Sequence, residues 1–190
     1  DVGADGLRPL DRAGRGELPW RPLQEEGTDV KDTVLARLGA RALGKTAANP
    51  IERMAVIEKL LSIEFPRALK AILLALRGAV VFDKGAIFTP DERSPVDDGH
   101  GKQGLEVLYG IEDDRQGLLA CNEMYAGQLP RDLVTIGEAP GGNQVCLERG
   151  SGRILLWHHE APSDDGALFQ IALTFDDLVA RLEPQESNGA

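Results

Sequence analysis

The stretch of residues 133–157, in which short apolar runs alternate with glycine turns, constrains the fold of this chain most. Residues 133–136 form an apolar run. Residues 143–148 alternate between apolar and polar side chains, which is typical of a β-strand with two different faces. The segment Gly150-Ser151-Gly152 then turns the chain into a third run, residues 154–159. We therefore predict a three-stranded antiparallel meander that forms the floor of a single core.

Three helices are predicted ahead of the meander, because apolar residues recur there at the spacing of one helical face. They cover residues 28–43, a segment that begins at Pro50, and residues 66–77. Asn49 is the expected N-cap of the second helix, since Pro50 fits the first helical position. Gly78 is the expected left-handed residue that ends the third helix.

The remaining elements follow from the same reasoning. Residues 79–82 and 86–88 are predicted to form a hairpin, and single strands are expected at residues 105–109 and 168–172. Residues 118–125 fit either a strand or a helix, and a helix is favoured. A last helix is expected after Thr174, which can cap it.

The order of these elements predicts the fold class. Helices come first, strands occupy the middle, and one helix closes the chain, which is an α+β order and not an alternating βαβ order. We predict an extended arm or linker over residues 1–27 and an additional N-terminal helix within residues 28–48. A single α+β domain then covers residues 49–185, and residues 186–190 form a tail.

Charge is distributed unevenly along the chain. Through residue 48 eight acids balance eight bases, so the formal net charge of -10 resides in residues 49–190. Residues 83–123 alone hold ten acids and four bases, a net charge of -6. Such acidity opposes binding to nucleic acid and to anionic membranes, and it favours a basic protein partner.

The composition also suggests a compartment. Two cysteines, Cys121 and Cys146, are too few for a disulfide scaffold, and no apolar run reaches the length of a membrane span. The amino-terminal residues lack the apolar core of a signal peptide. We expect a cytoplasmic protein that contacts no membrane.

One segment, Gly39 to Thr46, fits the phosphate-binding pattern G-x-x-x-x-G-K-[ST]. A true phosphate loop lies between a strand and a helix, whereas here a predicted helix precedes Gly39 and a new one begins soon after Thr46. Chance is the favoured explanation, and nucleotide binding stays open only as a remote alternative.

No catalytic, cofactor or metal site is predicted from the other reactive residues. His158 and His159 are neighbours on a predicted strand, so their side chains point to opposite faces and do not share one ion easily. Neither cysteine has a partner motif, and Cys146 is expected to be a small packing residue. We predict a non-enzymatic protein.

Several short motifs follow one another in a fixed order over roughly residues 50–183. They are Ile57-Glu-Lys-Leu-Leu, Phe65-Pro66, Leu73-Leu-Ala-Leu-Arg-Gly78, Leu105–Gly110 with Ile111, Leu129-Pro130, Leu133-Val-Thr-Ile-Gly137, Gly142-Asn143-Gln-Val-Cys-Leu147, Gly152-Arg-Ile-Leu-Leu-Trp157-His158-His159-Glu160 and Ile171-Ala172-Leu-Thr-Phe175-Asp-Asp-Leu178. This order of motifs resembles the SUKH superfamily. Phe65 stands where that family usually has Leu before Pro66, and the first 48 residues have no counterpart.

The resemblance implies a curved antiparallel sheet flanked by N-terminal helices and one C-terminal helix. It also implies a protein-binding module and not an enzyme. The superfamily includes fungal cell-wall-assembly regulators of the Smi/Knr type. It also includes bacterial immunity proteins that neutralise cognate toxins, many of them nucleases.

We accordingly expect a bacterial immunity protein that binds a basic toxin domain through an acidic surface. A regulatory scaffold that contacts a client through the N-terminal arm is the alternative. Trp157 is also an aromatic candidate, although packing in the core is the favoured role for it. The residues predicted to contact the partner are Asp97, Asp98, Tyr109, Glu112, Asp113, Asp114, Tyr125, Asp164 and Asp165.

Overall fold

The structure is a computed structural model, and it describes residues 33–163 and 166–185. Residues 33–38 are helical (α1). The other helices are α2 (Pro50–Leu61), α3 (Arg67–Leu76), α4 (Leu118–Met124) and α5 (Phe175–Arg181). The strands are β1 (Ala40–Leu43), β2 (Ala79–Phe82), β3 (Ile87–Phe88), β4 (Gln103–Gly104), β5 (Val107–Leu108), β6 (Leu133–Ala139), β7 (Asn143–Glu148), β8 (Ile154–Trp157) and β9 (Leu168–Ala172).

A seven-stranded sheet organises the molecule, in the order β1-β2-β5-β6-β7-β8-β9. Every neighbouring pair in it is antiparallel. Strands β6, β7 and β8 are the predicted meander, which is confirmed, although β6 extends to Ala139. The predicted single α+β domain is also confirmed.

The main core lies between one face of the sheet and the helices α2, α3 and α5. Val145 and Leu147 of β7 point into it and are fully or almost fully buried. The intervening Cys146 points to the opposite face, where it joins a smaller apolar cluster with Leu155 and Trp157. The alternation in β7 therefore separates two buried environments and does not separate core from solvent.

The helix predicted over residues 28–43 is wrong at its C-terminal end, and residues 28–32 lie outside the described residues. Gly39 adopts φ +66° and ends α1, after which Ala40–Leu43 pair with β2 as an edge strand. The predicted extra helix within residues 28–48 is therefore a helix followed by a strand. Backbone positions between Gly39 and Gly44 are extended, so this segment does not wrap into a phosphate loop.

The predicted hairpin of residues 79–82 and 86–88 is also wrong. The turn forms, because the Gly85 N–H donates to the Phe82 carbonyl at 2.9 Å. Ile87, however, exchanges two backbone hydrogen bonds of 2.9 Å with Glu183 after α5. β3 is thereby drawn away from β2 and pairs with β4, while β2 pairs with β1 and β5.

The helix ends match the predictions in part. Thr174 caps α5 as predicted, since its Oγ1 accepts from the Asp177 N–H at 3.1 Å. Asn49 occupies the N-cap of α2 but makes no side-chain capping bond. At the end of α3 the left-handed residue is Arg77 and not Gly78. Gly78 instead allows the backbone of Lys45 to approach closely, because a Cβ at position 78 would lie 2.8 Å from the Lys45 carbonyl oxygen.

None of the helices in the described ranges has the length and apolar character that crossing a bilayer requires.

Candidate functional site

A groove of about 570 Å³ brings together residues that are far apart in the sequence. Tyr109, Asp114 and Tyr125, three of the residues predicted to contact a partner, line it. Tyr109 follows β5, Asp114 lies in the loop before α4, and Tyr125 follows α4. The remaining lining residues are Arg115, Gln116, Cys121, Met124 and Glu138.

Strand register places Glu138 in this groove. Glu138 of β6 pairs with Val107 of β5 on one side and with Gln144 of β7 on the other. Residues that are directly opposite in an antiparallel sheet share a face, so Glu138 and Gln144 lie on the same face of the sheet. That face is opposite the one covered by α2, α3 and α5.

The side-chain amide of Asn122 fixes α4 against β6. Its Oδ1 accepts from the Thr135 N–H at 3.0 Å, and its Nδ2 donates to the Thr135 carbonyl at 2.9 Å and to the Leu118 carbonyl at 2.8 Å. The amide therefore forms the two backbone hydrogen bonds with Thr135 that a neighbouring strand would otherwise form. Thr135 lies beside the irregularity in β6 between Thr135 and Gly137. Tyr125, which follows α4 directly, is positioned by this contact.

A buried polar network supports the groove from below. The side chain of Gln144 is fully buried, and its Oε1 accepts from the hydroxyls of Tyr109 and Thr135, each at 2.8 Å. Its Nε2 donates to the Gly142 carbonyl at 2.8 Å and to the Tyr125 hydroxyl at 3.0 Å. All four hydrogen-bonding positions of the amide are thus used.

Glu138 is the acidic residue of the groove that the sequence analysis missed. Partial burial raises the pKa of its carboxyl group, and repulsion from Glu106 raises it further. Its carboxylate makes no hydrogen bond or ion pair with any residue in the described part of the chain. A single acid in an apolar strand gives no sequence signal, because only the pairing of β6 with β5 and β7 brings it to the groove.

The acidic loop before α4 flanks the groove. Asp113 is well exposed and pairs with Arg53 of α2. The Asp114 carboxylate accepts from the Gln116 N–H at 2.9 Å. Glu112 is half-buried in the same loop. Of the predicted acids at 112–114, Asp114 lines the groove together with Tyr125, and the other two precede it in the same loop.

The predicted acids Asp97 and Asp98 belong to a separate loop, between β3 and β4. Asp97 accepts from the Ser94 N–H at 3.1 Å and from Gln103 Nε2 at 2.7 Å. Asp98 accepts from the Lys102 N–H at 2.7 Å, and this bond and one from the His100 N–H keep the pKa of its carboxyl group below the ordinary value. Both acids organise their own loop.

A second groove, of about 440 Å³, is lined by Asp98 and Glu106 among others. The Glu106 N–H donates to the Glu138 carbonyl at 2.8 Å, so the two grooves are neighbours. The two predicted acidic loops therefore lie at either end of a region that contains Glu106 and Glu138.

The other predicted residues have different outcomes. Tyr109 is only 3% exposed, so its ring offers almost no surface to a partner. Asp164 and Asp165 lie outside the described residues. Trp157 is buried, as favoured by the sequence analysis, and its ring meets that of Tyr125 edge to face with centroids 5.6 Å apart.

The cysteines and histidines of the described ranges show no reactive arrangement. Burial raises the pKa of Cys121 to about 11, and it also raises the pKa of the fully buried Cys146, so both thiols are protonated at neutral pH. His158 and His159 follow the last residue of β8. No group of three or more metal-ligating side chains that could hold an ion lies within residues 33–163 and 166–185.

The chain is similar to the SPbeta prophage-derived uncharacterized protein YokK of Bacillus subtilis (strain 168), with 34% identity over 104 residues. The aligned part is 53% of this chain and 54% of the relative, so the chain spans about half the length of that protein.

The sequence model of the SMI1 / KNR4 family (SUKH-1) matches residues 51–181. The match runs from the first turn of α2 to the last residue of α5 and leaves α1 and β1 outside. It confirms the resemblance on which the sequence analysis relied. This chain therefore belongs to the SMI1 / KNR4 family (SUKH-1).

Proposed function

We propose that this protein is a non-enzymatic immunity protein that acts in the cytoplasm, where it binds and neutralises a cognate bacterial toxin through an acidic surface. Membership of the SMI1 / KNR4 family, in which toxin immunity is common, supports a role in binding another protein. The observation that carries the proposal is the net charge of -6 in residues 83–123, which contribute both acidic loops.

The physical case rests on charge complementarity. A toxin that cleaves nucleic acid must present a basic face to phosphate groups. An acidic surface is steered to such a face, which raises the association rate and occupies the groups that the toxin needs. Asp114 and the exposed Met124 line the same groove and combine charge with apolar surface, as protein interfaces do.

The test is capture of the protein encoded by the adjacent open reading frame. We expect the immobilised full chain to retain that protein at about 20 mM salt and to release it at about 500 mM salt, because exposed charges are screened at high ionic strength. Absence of capture at low salt would contradict the proposal.

Matched variants locate the surface. Glu112→Gln with Asp113→Asn removes two charges from the acidic loop that flanks the groove, and Glu64→Gln with Glu160→Gln removes two from well-exposed positions elsewhere. We expect the first pair to weaken capture about tenfold or more and the second to change it about threefold or less. Equal losses would show that total charge, and not this surface, governs binding.

A regulatory scaffold of the fungal cell-wall-regulator kind is a second candidate, because residues 1–50 lie outside the family match. Deletion of residues 1–27 discriminates between the two. The immunity proposal predicts that the shortened chain keeps its partner, whereas a client held by this segment would be lost.

A further inference from the structure

The groove between α4 and β6 carries negative charge that the described residues leave unneutralised. Glu138 makes no ion pair, and Asp114 lines the same groove. Both carboxylates are close enough to the Cys121 thiol to raise its pKa, after burial as the main cause. Glu138 also lies beside the like charge of Glu106, whose backbone N–H donates to the Glu138 carbonyl at 2.8 Å. Like charges in a partly desolvated place destabilise one another unless a cation joins them.

The basic residues described around this groove do not supply this neutralisation. Arg115 lines the groove but is exposed, and it makes no ion pair with Glu138 or Asp114. The other basic residue beside the acidic loop, Arg53, is engaged with Asp113 and with the Ile111 carbonyl.

The walls of the groove suit a flat cation. The ring of Tyr125 is half-buried and held by the edge contact with Trp157 and by the hydrogen bond from Gln144. Met124 is 61% exposed, and its flexible thioether can adapt to a ligand. An aromatic face next to carboxylates attracts a cation through both the ring and the charge.

We propose that this groove binds an arginine side chain of the partner protein, with Glu138 as its ion-pair acceptor and Tyr125 as its stacking surface. The inference rests on the proposed function, because a protein partner must supply the side chain. Arginine fits better than lysine, since its planar guanidinium bonds a carboxylate through two N–H groups and stacks on aromatic rings.

The experiment uses a small probe that does not depend on the partner. The ¹⁵N-labelled full chain is titrated with N-acetyl-arginine amide and, separately, with N-acetyl-citrulline amide, a neutral compound of the same shape. We expect saturable shifts of the Met124, Tyr125 and Glu138 amide resonances with arginine, and binding about tenfold weaker with citrulline.

Variants make the test specific. Glu138→Gln should reduce arginine binding to the level of citrulline, while its amide spectrum shows that it remains folded. Glu123→Gln, which removes an exposed charge of α4 that lines a different groove, should bind arginine as the unchanged protein does. Arg115→Gln should bind at least as tightly, since it removes a competing cation.

Equal binding of arginine and citrulline, or undiminished binding by Glu138→Gln, would overturn the inference. Shifts confined to residues outside the groove would overturn it as well. Because the probe needs no toxin, a negative titration with successful capture of the partner refutes only this inference. Arginine binding without capture of any partner refutes only the proposed function.

Discussion

Gln144 shows how a single residue joins several elements. Its buried amide connects Tyr109 after β5, Thr135 of β6, Gly142 before β7 and Tyr125 after α4 through four hydrogen bonds. In the sequence it is only a polar position of an alternating strand. Its role arises because the pairing of β6 with β7 surrounds it with hydroxyl groups that have few other partners.

Replacement of Gln144 by Met should destabilise the fold by about 2–4 kcal/mol, because two buried hydroxyls and one carbonyl lose their partner. The free energy of unfolding in urea measures this. Tyr125→Phe is the control, since it removes one bond of a half-buried group and should cost about 1 kcal/mol or less. Stability of Gln144→Met within about 0.5 kcal/mol of the unchanged protein would contradict the network.

Glu138 should behave as a residue that costs stability in the free protein. Because its folded pKa is raised, the folded state is favoured when the group is protonated, and this advantage is lost as pH rises from the ordinary glutamate range through the raised pKa. Glu138→Gln should therefore be more stable at about pH 8, by about 1 kcal/mol or less given solvent screening.

Unfolding in urea at several pH values checks this prediction. The difference between Glu138→Gln and the unchanged protein should vanish below the ordinary pKa of glutamate, where both side chains are neutral. A variant that is less stable at about pH 8 would show that Glu138 has a stabilising partner within the chain.

Among the elements, the C-terminus of α2 depends on an arginine that is distant in the sequence. Arg149, which follows β7, donates to the Leu61 carbonyl at 2.9 Å and to the Leu133 carbonyl at 3.1 Å, and it also bonds the Arg131 carbonyl. A cation at the end of a helix also interacts favourably with the helix dipole. One side chain thereby ties α2 to β6.

Arg149→Met keeps the apolar stem and removes these bonds, and it should cost about 1–3 kcal/mol of unfolding free energy. Arg41→Met is the matched control, because Arg41 forms one ion pair at the surface with Asp83, and both side chains are more than half exposed. It should change stability by about 0.5 kcal/mol or less. Equal effects of the two substitutions in urea titrations would contradict the role of Arg149.

The Asn122 amide should protect the edge of β6. Asn122→Ala leaves the N–H and the carbonyl of Thr135 without their partner, which should cost about 1–3 kcal/mol and speed hydrogen exchange at the Thr135 amide. Exchange at Val145, in the centre of the sheet, serves as the internal control. Unchanged protection of Thr135 relative to Val145 would show that α4 is held by other contacts.

Elements with strong local patterns were predictable, and those that depend on distant partners were not. The meander and the Thr174 cap follow from alternation and from one capping residue. The hairpin failed because Ile87 bonds Glu183, almost a hundred positions away in the chain. Residues 40–43 fit a helix equally well by pattern, and only the open edge of β2 makes them a strand.

At the scale of the whole molecule, the family fold is extended at one edge. The match to the SMI1 / KNR4 family begins at residue 51, whereas α1 and β1 precede it and β1 pairs with β2. Family motifs could be recognised from the sequence because glycines and apolar runs recur in a fixed order. The chain ahead of them has no such pattern.

The candidate site was only partly predictable, because part of it is assembled by the pairing of strands that are distant in the sequence. Charge counting found the loop with Asp114, and aromatic content pointed to Tyr125. Neither criterion could find Glu138, which reaches the groove only through strand register. Neither could show that the Tyr109 ring is buried. Acids at Asp97 and Asp98 contribute charge, but their bonds within the loop show a structural role as well.

The most direct test of the acidic-surface account is the association rate constant of the full chain with the protein encoded by the adjacent open reading frame. Stopped-flow measurements from about 20 mM to about 500 mM salt should show a fall of about tenfold or more, because long-range steering is screened. Glu112→Gln with Asp113→Asn should flatten that dependence. Undetectable association at low salt, or a rate that neither salt nor these substitutions change, would contradict the account.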